Sequence, residues 1–200
     1  MLERLEAVDV SVVELNGRHV DGRYAATSEL ALHLGVYERY DAGAVVHTHP
    51  PMGTALACVL DELPVIHYQM LELGGPVRVA RYATFGTTEL AELTLDALQG
   101  RGAALMSNHG TIAHGPDLDS AVGRSLLLEW ACSLYWHAAA IGTPRTLDEE
   151  QIAAFMSALL DRGYGTTQPA VEWVPGNIRA QGRRCRGRPP AEGRGRGHRG

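Results

Sequence analysis

Two histidines, His47 and His49, alternate at the end of the apolar run Ala44-Val45-Val46, and a third, His109, closes a second apolar run from Ala103 to Met106. Three neutral imidazoles gathered around one point hold a divalent metal while leaving a coordination position open, and catalytic zinc sites keep such a position. In a strand, residues i and i+2 project from the same face. If Ala44 to His49 is a short buried strand, His47 and His49 therefore chelate one ion. The segment Ala103 to Gly110 suits another strand, ended by the turn formers Asn108 and Gly110, that delivers His109 into a cleft as the third ligand. His-x-His alone is a weak signal, because such pairs are more often one core and one surface residue. The third histidine in a similar context strengthens it. Zinc is the expected ion, although imidazole suits several divalent metals.

Elements that would carry these residues can be read along the chain. Val8 to Leu15 alternates as a strand does, and Asn16-Gly17 marks a turn. Thr27-Ser28-Glu29 opens a helix with Leu30, Leu34 and Tyr37 at helical spacing. Pro50-Pro51 starts another that extends to about Leu60. Pro64–Tyr68 and Val77–Ala80 are candidate short strands. Thr87 to Leu98 reads as an amphipathic helix with Leu90, Leu93, Leu95 and Leu98 along it, and Thr111-Ile112-Ala113 follows the His109 turn. A long helix runs from Asp117 to Ile141, capped by aspartate and ended by Gly142 with Pro144 beyond. A last helix covers about Asp148 to Leu160. Strands and helices are interspersed, which predicts an α/β layer structure.

The whole chain of 200 residues is long enough for one domain with a substantial core. No apolar stretch approaches the roughly 20 residues that span a bilayer. Met1 to Glu6 is charged and lacks the apolar centre of a secretory signal, so a cytoplasmic location is expected, with no membrane partner. Cys58, Cys132 and Cys185 lack metal-ligand spacing, and Cys58 and Cys132 read as core packing. The net charge of −5 is unevenly placed, because Arg179 to Gly200 holds eight arginines and one acid. That leaves the preceding residues strongly acidic. The Arg/Gly/Pro-rich end has no apolar periodicity to offset the entropy of ordering, and it is expected to be disordered. It could bind RNA through phosphates, but composition alone speaks for that. A nonfunctional extension, in keeping with a GC-rich coding sequence and a chain without lysine, is the preferred reading.

By residue type alone, Thr27-Ser28-Glu29 is what any helix start looks like, with a hydroxyl cap and an early acid. Tyr82 and Tyr164 are ordinary aromatics, and His33, His67, His114 and His137 are structural or exposed. Together, however, several stretches resemble the class II aldolase and adducin family, in particular its fuculose-1-phosphate aldolase branch. They are Thr27-Ser28-Glu29 with His33, Asp41 to His49, Ile66-His67-Tyr68, Tyr82 to Leu90, Asn108-His109-Gly110 and Gly163-Tyr164-Gly165, in order and at matching spacing from about Asp9 to Gly165.

The resemblance implies a three-layer α/β/α fold with a central, mostly antiparallel sheet, assembled as a homotetramer with active sites between subunits. It implies His47, His49 and His109 as zinc ligands and Glu29 as catalytic acid/base. Thr27 and Ser28 would contact the substrate phosphate, Tyr82 would reach a neighbouring subunit's site, and Tyr164 would stand near the substrate on a C-terminal segment. The implied reaction cleaves a small ketose 1-phosphate to dihydroxyacetone phosphate and an aldehyde, with the metal as Lewis acid. A ribulose-5-phosphate 4-epimerase uses related chemistry, but its pattern has aspartate where this chain has Glu29. A noncatalytic, adducin-like interaction domain needs no metal ligands, so the histidine set argues against it. Relatives begin with a helix and two phosphate-binding loops that are not seen here. The expected organisation is an N-terminally truncated domain over 1–168, starting about 40 residues late against typical domain lengths, and a tail over 169–200.

Overall fold

Strand Ala103–Met106 is buried at every position, with Ala103 and Leu105 in one apolar cluster and Ala104 and Met106 in another. A strand that is apolar on both faces belongs at the centre of a sheet covered on both sides. The computed structural model, which describes residues 5–162, has that arrangement. In chain order the strands are β1 (Val12–Val13), β2 (His19–Asp21), β3 (Ala44–Thr48), β4 (Glu62–Leu63), β5 (Val77–Ala80), β6 (Ala103–Met106) and β7 (Gly110–Gly115). The helices are α1 (Leu30–Arg39), α2 (Pro51–Ala57), α3 (Thr88–Leu98), α4 (Leu118–Ile141) and α5 (Glu149–Arg162). Five strands form the central sheet in the order β3-β7-β6-β5-β4, with only the β5–β6 pair parallel. The expected mostly antiparallel sheet between two helical layers is what forms.

One layer holds α1 and α3, whose Leu32, Val36, Leu90, Leu95 and Leu98 meet Ala104, Met106 and Ile112. The other holds α2 and α4, whose Leu56, Ala57, Leu128, Ala131 and Cys132 meet Ala103, Leu105 and Ala113. Arg39 pairs with Glu92 and Asp96 across the α1–α3 contact at 2.6 and 3.0 Å. These pairs are exposed, so water and salt screen them. Each buried leucine contributes roughly 1.5–3 kcal/mol, so apolar burial fixes the packing.

Helix ends follow their cap residues. Thr87 Oγ1 accepts the Leu90 N–H at 3.2 Å, and Asp117 Oδ1 accepts the Ser120 N–H at 2.7 Å. Asp148 and Gln151 exchange reciprocal bonds at the start of α5, at 3.0 and 2.8 Å. Buried Cys132 fits the core reading, and burial, with the Glu129 charge adding, pushes its thiol up to about 12.

Four expectations need correction. The strand expected over Val8 to Leu15 shrinks to Val12–Val13, preceded by a 3-10 turn at Ala7–Asp9, because Val8, Val10 and Val12 are exposed and meet no core. The expected strand Pro64–Tyr68 is displaced to Glu62–Leu63, since Pro64 has no N–H to continue a ladder, and Tyr68–Leu73 is 3-10 helix. The helix from Pro50 to Leu60 covers only Pro51–Ala57 and then tightens into turns through Leu60. Cys58 is exposed there and is not core. Tyr164, Cys185 and the Arg-rich tail over 169–200 lie outside the described residues. Among the described residues, no helix is long and apolar enough to cross a membrane.

At the Gly115 end of β7, the His114 Nε2–H donates to the Arg101 carbonyl at 3.0 Å, its ring stacks on Tyr40, and its Nδ1 is buried without a partner among the described residues. Burial holds this imidazole below its ordinary value, the carbonyl bond opposes, and the Arg124 charge adds. The folded state thus resists a proton that the unfolded chain accepts near pH 6.5. Its stabilising contribution is complete above that pH and is lost as pH falls below it. In urea unfolding at a series of pH values, His114→Gln is expected to lose less stability than the parent between pH 7 and pH 5.

Candidate metal centre

The antiparallel pairing of β3 with β7 sets His47 opposite Ile112 and Thr48 opposite Thr111. In this register the His47 Nδ1–H donates to the Thr111 carbonyl at 2.8 Å. A carbonyl only accepts, so in the neutral ring the proton sits on Nδ1 and the Nε2 lone pair points away from the strand. That lone pair faces His49 Nε2 at 3.2 Å and Glu29 Oε2 at 2.8 Å. The i, i+2 spacing therefore brings the two rings together, their centroids 4.9 Å apart, even though β3 ends at Thr48.

His109 arrives from the three-residue connection between β6 and β7, and its neighbours explain the turn. Asn108 adopts φ 54°, a left-handed conformation that asparagine tolerates better than most residues. Its Nδ2 lies 3.5 Å from Cys58 Sγ, which ties the turn to the end of α2. A Cβ on Gly110 would stand 2.5 Å from both the Thr48 carbonyl oxygen and His49 Cδ2. Only glycine lets β7 pass so close beneath His49. The His109 ring centre consequently lies 5.1 Å from that of His47 and 5.0 Å from that of His49.

Glu29 completes the group. It is the N-cap of α1 at φ −99°, ψ 24°, yet its side chain makes no capping bond to its own helix. Thr27 Oγ1 accepts the Glu29 N–H at 3.3 Å instead of an N–H of α1. The hydroxyl-cap reading of this tripeptide gives way to a different arrangement, because the Glu29 carboxylate is turned into the histidine cluster. It is 8% exposed, with Oε2 at 2.8 Å from His47 Nε2 and Oε1 at 3.2 Å from His109 Nε2. Oε1 has no aligned hydrogen-bond partner among the described residues.

One ligand atom from each of Glu29, His47, His49 and His109 lies within 4.8 Å of the others. An orphaned oxygen on the buried Glu29 carboxylate and half-buried imidazole lone pairs turned on one another are costly together. One divalent cation at their centre would satisfy all of them. Three nitrogens and an oxygen form a donor set that suits zinc and other borderline divalent ions. Sequence reasoning left the fourth position open, and in the structure Glu29 stands there.

Burial holds His109 below its ordinary value, opposed by the Glu29 charge, with His47 and His49 adding. His33, one turn along α1 from Glu29, packs edge-on to His47 at 6.4 Å between ring centres. It is likewise held low, first by burial and then by His47, against Glu29. Burial thus favours the uncharged imidazole that a metal requires.

Thr27 and Ser28 are exposed at the start of α1, and Gly86 of the loop after β5 lies against Ser28. Tyr82, on that loop, is 63% exposed. His67 packs with Tyr68 and Trp130, and His137 Nδ1 bonds the Ser133 carbonyl on α4. The Thr111 carbonyl was not anticipated, since a backbone acceptor has no residue-type signature and is found only through the β3–β7 register.

Residues 1–136 match the sequence model of the family described as Class II Aldolase and Adducin N-terminal domain. The chain belongs to this aldolase and adducin family. It is 36% identical over 146 residues to the 5-methylthioribulose-1-phosphate/5-deoxyribulose-1-phosphate aldolase of Rhodospirillum rubrum, covering 72% of this chain and 66% of that protein. It is also 36% identical over 157 residues to the L-fuculose phosphate aldolase of Escherichia coli, covering 77% and 73%. The fold is similar to a solved L-fuculose 1-phosphate aldolase with a TM-score of 0.75 at 34% identity, covering 79% of this chain and 75% of that one. Class II aldolases are metal-dependent, and a Glu/His cluster able to bind a metal is present here.

Gly110→Ala is expected to lower stability by about 1–3 kcal/mol through forced overpacking and to splay His49 from His47. Thermal unfolding and divalent-metal titration check the two effects.

Proposed function

We propose that this chain is a zinc-dependent class II aldolase that cleaves a small ketose 1-phosphate between C3 and C4, giving dihydroxyacetone phosphate and an aldehyde. The observation that carries this reading is the buried Glu29 carboxylate turned away from its helix and toward His47, His49 and His109. A structural cap has no reason to turn there. A divalent ion held by the three imidazoles would act as a Lewis acid on the ketose carbonyl and on the negative charge that appears when C3–C4 breaks.

The remaining steps fall to the chain's own groups. Glu29, freed from the imidazoles when substrate enters, is suited to hold the proton that C3 receives, provided it comes within hydrogen-bond reach. Thr27 and Ser28 place two hydroxyls beside the free N–H groups of the α1 start, a seat for the phosphate. The C4 hydroxyl proton would be removed by a tyrosine, Tyr82 of a neighbouring subunit or Tyr164. The exposure of Tyr82 supports a role across a subunit boundary. The homotetramer reading is supported by the exposed apolar stripe of Leu118, Val122, Leu126 and Trp130 at four-residue spacing along α4. The exposed His49 marks the side from which substrate approaches. The reaction needs no membrane partner, and a cytoplasmic location fits its soluble substrate.

The relatives' printed substrates, a fuculose phosphate and deoxyribulose or methylthioribulose 1-phosphates, are ketose phosphates whose last sugar carbon carries no hydroxyl, fuculose being one carbon longer than the other two. A deoxyketose 1-phosphate is accordingly the substrate class assigned to this site.

The test incubates zinc-loaded protein with fuculose 1-phosphate and with 5-deoxyribulose 1-phosphate and measures release of dihydroxyacetone phosphate. Cleavage of either supports the aldolase reading. No cleavage of either, together with interconversion of pentulose 5-phosphates, would replace it by the epimerase reading. Absence of metal uptake would favour the interaction domain. His109→Ala is expected to lose both stoichiometric metal and cleavage. Glu29→Gln is expected to retain metal through the three histidines while cleavage falls by about 10²–10⁴-fold, as for loss of a general acid/base.

A further inference from the structure

We infer that Glu129, on α4 in the opposite helical layer from Glu29, is a positioning residue for the metal centre, holding the His49–Gly53 segment in place. The inference rests on reading His47 and His49 as metal ligands. Both oxygens of the Glu129 carboxylate are engaged: Oε1 accepts the Met52 N–H at 3.0 Å and Oε2 accepts the Gly53 N–H at 2.7 Å. These are charge-assisted bonds to the first turn of α2, where backbone N–H groups have no partner within the helix.

α2 has particular need of such a partner. It is seven residues long, too short to hold itself by backbone bonds alone. Its N-cap is Pro50, which has no side-chain acceptor, and no capping bond is made there. The cap is supplied instead by Glu129, 76 and 77 residues further along the chain. Met52, which Gly53 follows directly, is separated from His49 only by Pro50 and Pro51, two residues whose fixed φ transmits position with little slack. Fixing the start of α2 thus fixes the end of the segment that presents His49.

The same joint reaches His47. A Cβ on Gly53 would lie 2.6 Å from Thr111 Cγ2 and 3.4 Å from Glu129 Oε2, so the helix rests directly on Thr111. Thr111 carries the carbonyl that sets the His47 tautomer, and its Oγ1 lies 3.1 Å from Thr48 Oγ1. Glu129, Gly53, Thr111 and His47 form a contiguous chain of contacts. Glu129 belongs to the layer of α2 and α4, whereas the Glu29 carboxylate approaches the histidines from the α1 layer. Glu129 therefore acts on the ligands from behind and touches no substrate.

The test loads full-length parent, Glu129→Gln and Leu98→Ala with cobalt(II), and reads the cobalt dissociation constant by chelator competition, the visible cobalt spectrum and the unfolding temperature. Gln keeps the volume of Glu but offers one acceptor and turns an NH₂ toward a backbone N–H. Glu129→Gln is expected to weaken cobalt binding by about 10-fold, at the lower end for loss of an outer-shell partner, and to alter the visible bands. Leu98→Ala loosens the α3 core on the other face and should lower the unfolding temperature while leaving the cobalt affinity and spectrum unaltered. If Glu129→Gln does not fold, Gly53→Ala, which pushes α2 off Thr111, must weaken cobalt binding in the same way. Parent-like cobalt affinity and spectrum in the folded variant would overturn the inference, as would an equal loss in Leu98→Ala, while the metal reading stands. A parent that takes up no cobalt would overturn both.

Discussion

The antiparallel register of β3 against β7 is the constraint on which the rest of the site depends. It places the Thr111 carbonyl where His47 Nδ1–H can donate to it, and so decides which nitrogen of His47 is free. It also brings Gly110 beneath His49, and hence sets where the turn carrying His109 ends. A slip of one residue would turn His47 to the α2–α4 face and remove the Thr111 bond. The alternating core prevents that slip, because Ile112 and Ala113 are sorted to opposite apolar clusters. The precision of the imidazole cluster is therefore inherited from hydrophobic sorting along two strands.

Much of this was legible in the sequence. The i, i+2 relation of His47 and His49 follows from strand geometry alone, and the aspartate cap at Asp117 lies where residue type puts it. The layer architecture follows from short apolar runs between amphipathic segments. What remained hidden was of two kinds. Tertiary geometry decided some positions: Glu29 looks like an early helix acid by type, and only the fold turns its carboxylate to the histidines. Partners distant in sequence decided others, since the Glu129 bonds to Met52 and Gly53 have no local signature. At the N-terminal end, alternating valines suggested a longer strand, but exposed side chains gave it nothing to pack against. In the structure a ligand atom of His109 and one of Glu29 lie within 4.8 Å of each other, and Tyr82 is exposed.

The four groups differ in how firmly they are held, and the difference bears on chemistry. His47 lies inside a strand with its second nitrogen bonded to the backbone. His109 sits in a turn constrained by Asn108 and Gly110. Glu29 is different, because its side chain contributes no bond to α1 and its backbone already has non-helical dihedrals. Swinging the Glu29 carboxylate costs the helix no hydrogen bond. The buried Oε1, without an aligned hydrogen-bond partner among the described residues, even favours departure once another donor is offered. An acid/base must exchange partners during turnover, whereas ligands must stay where they are. On the proposed reading, with Glu29 as acid/base and the histidines as ligands, a carboxylate at an N-cap that it does not cap, beside imidazoles fixed by strand and turn, would divide these duties by mechanical placement.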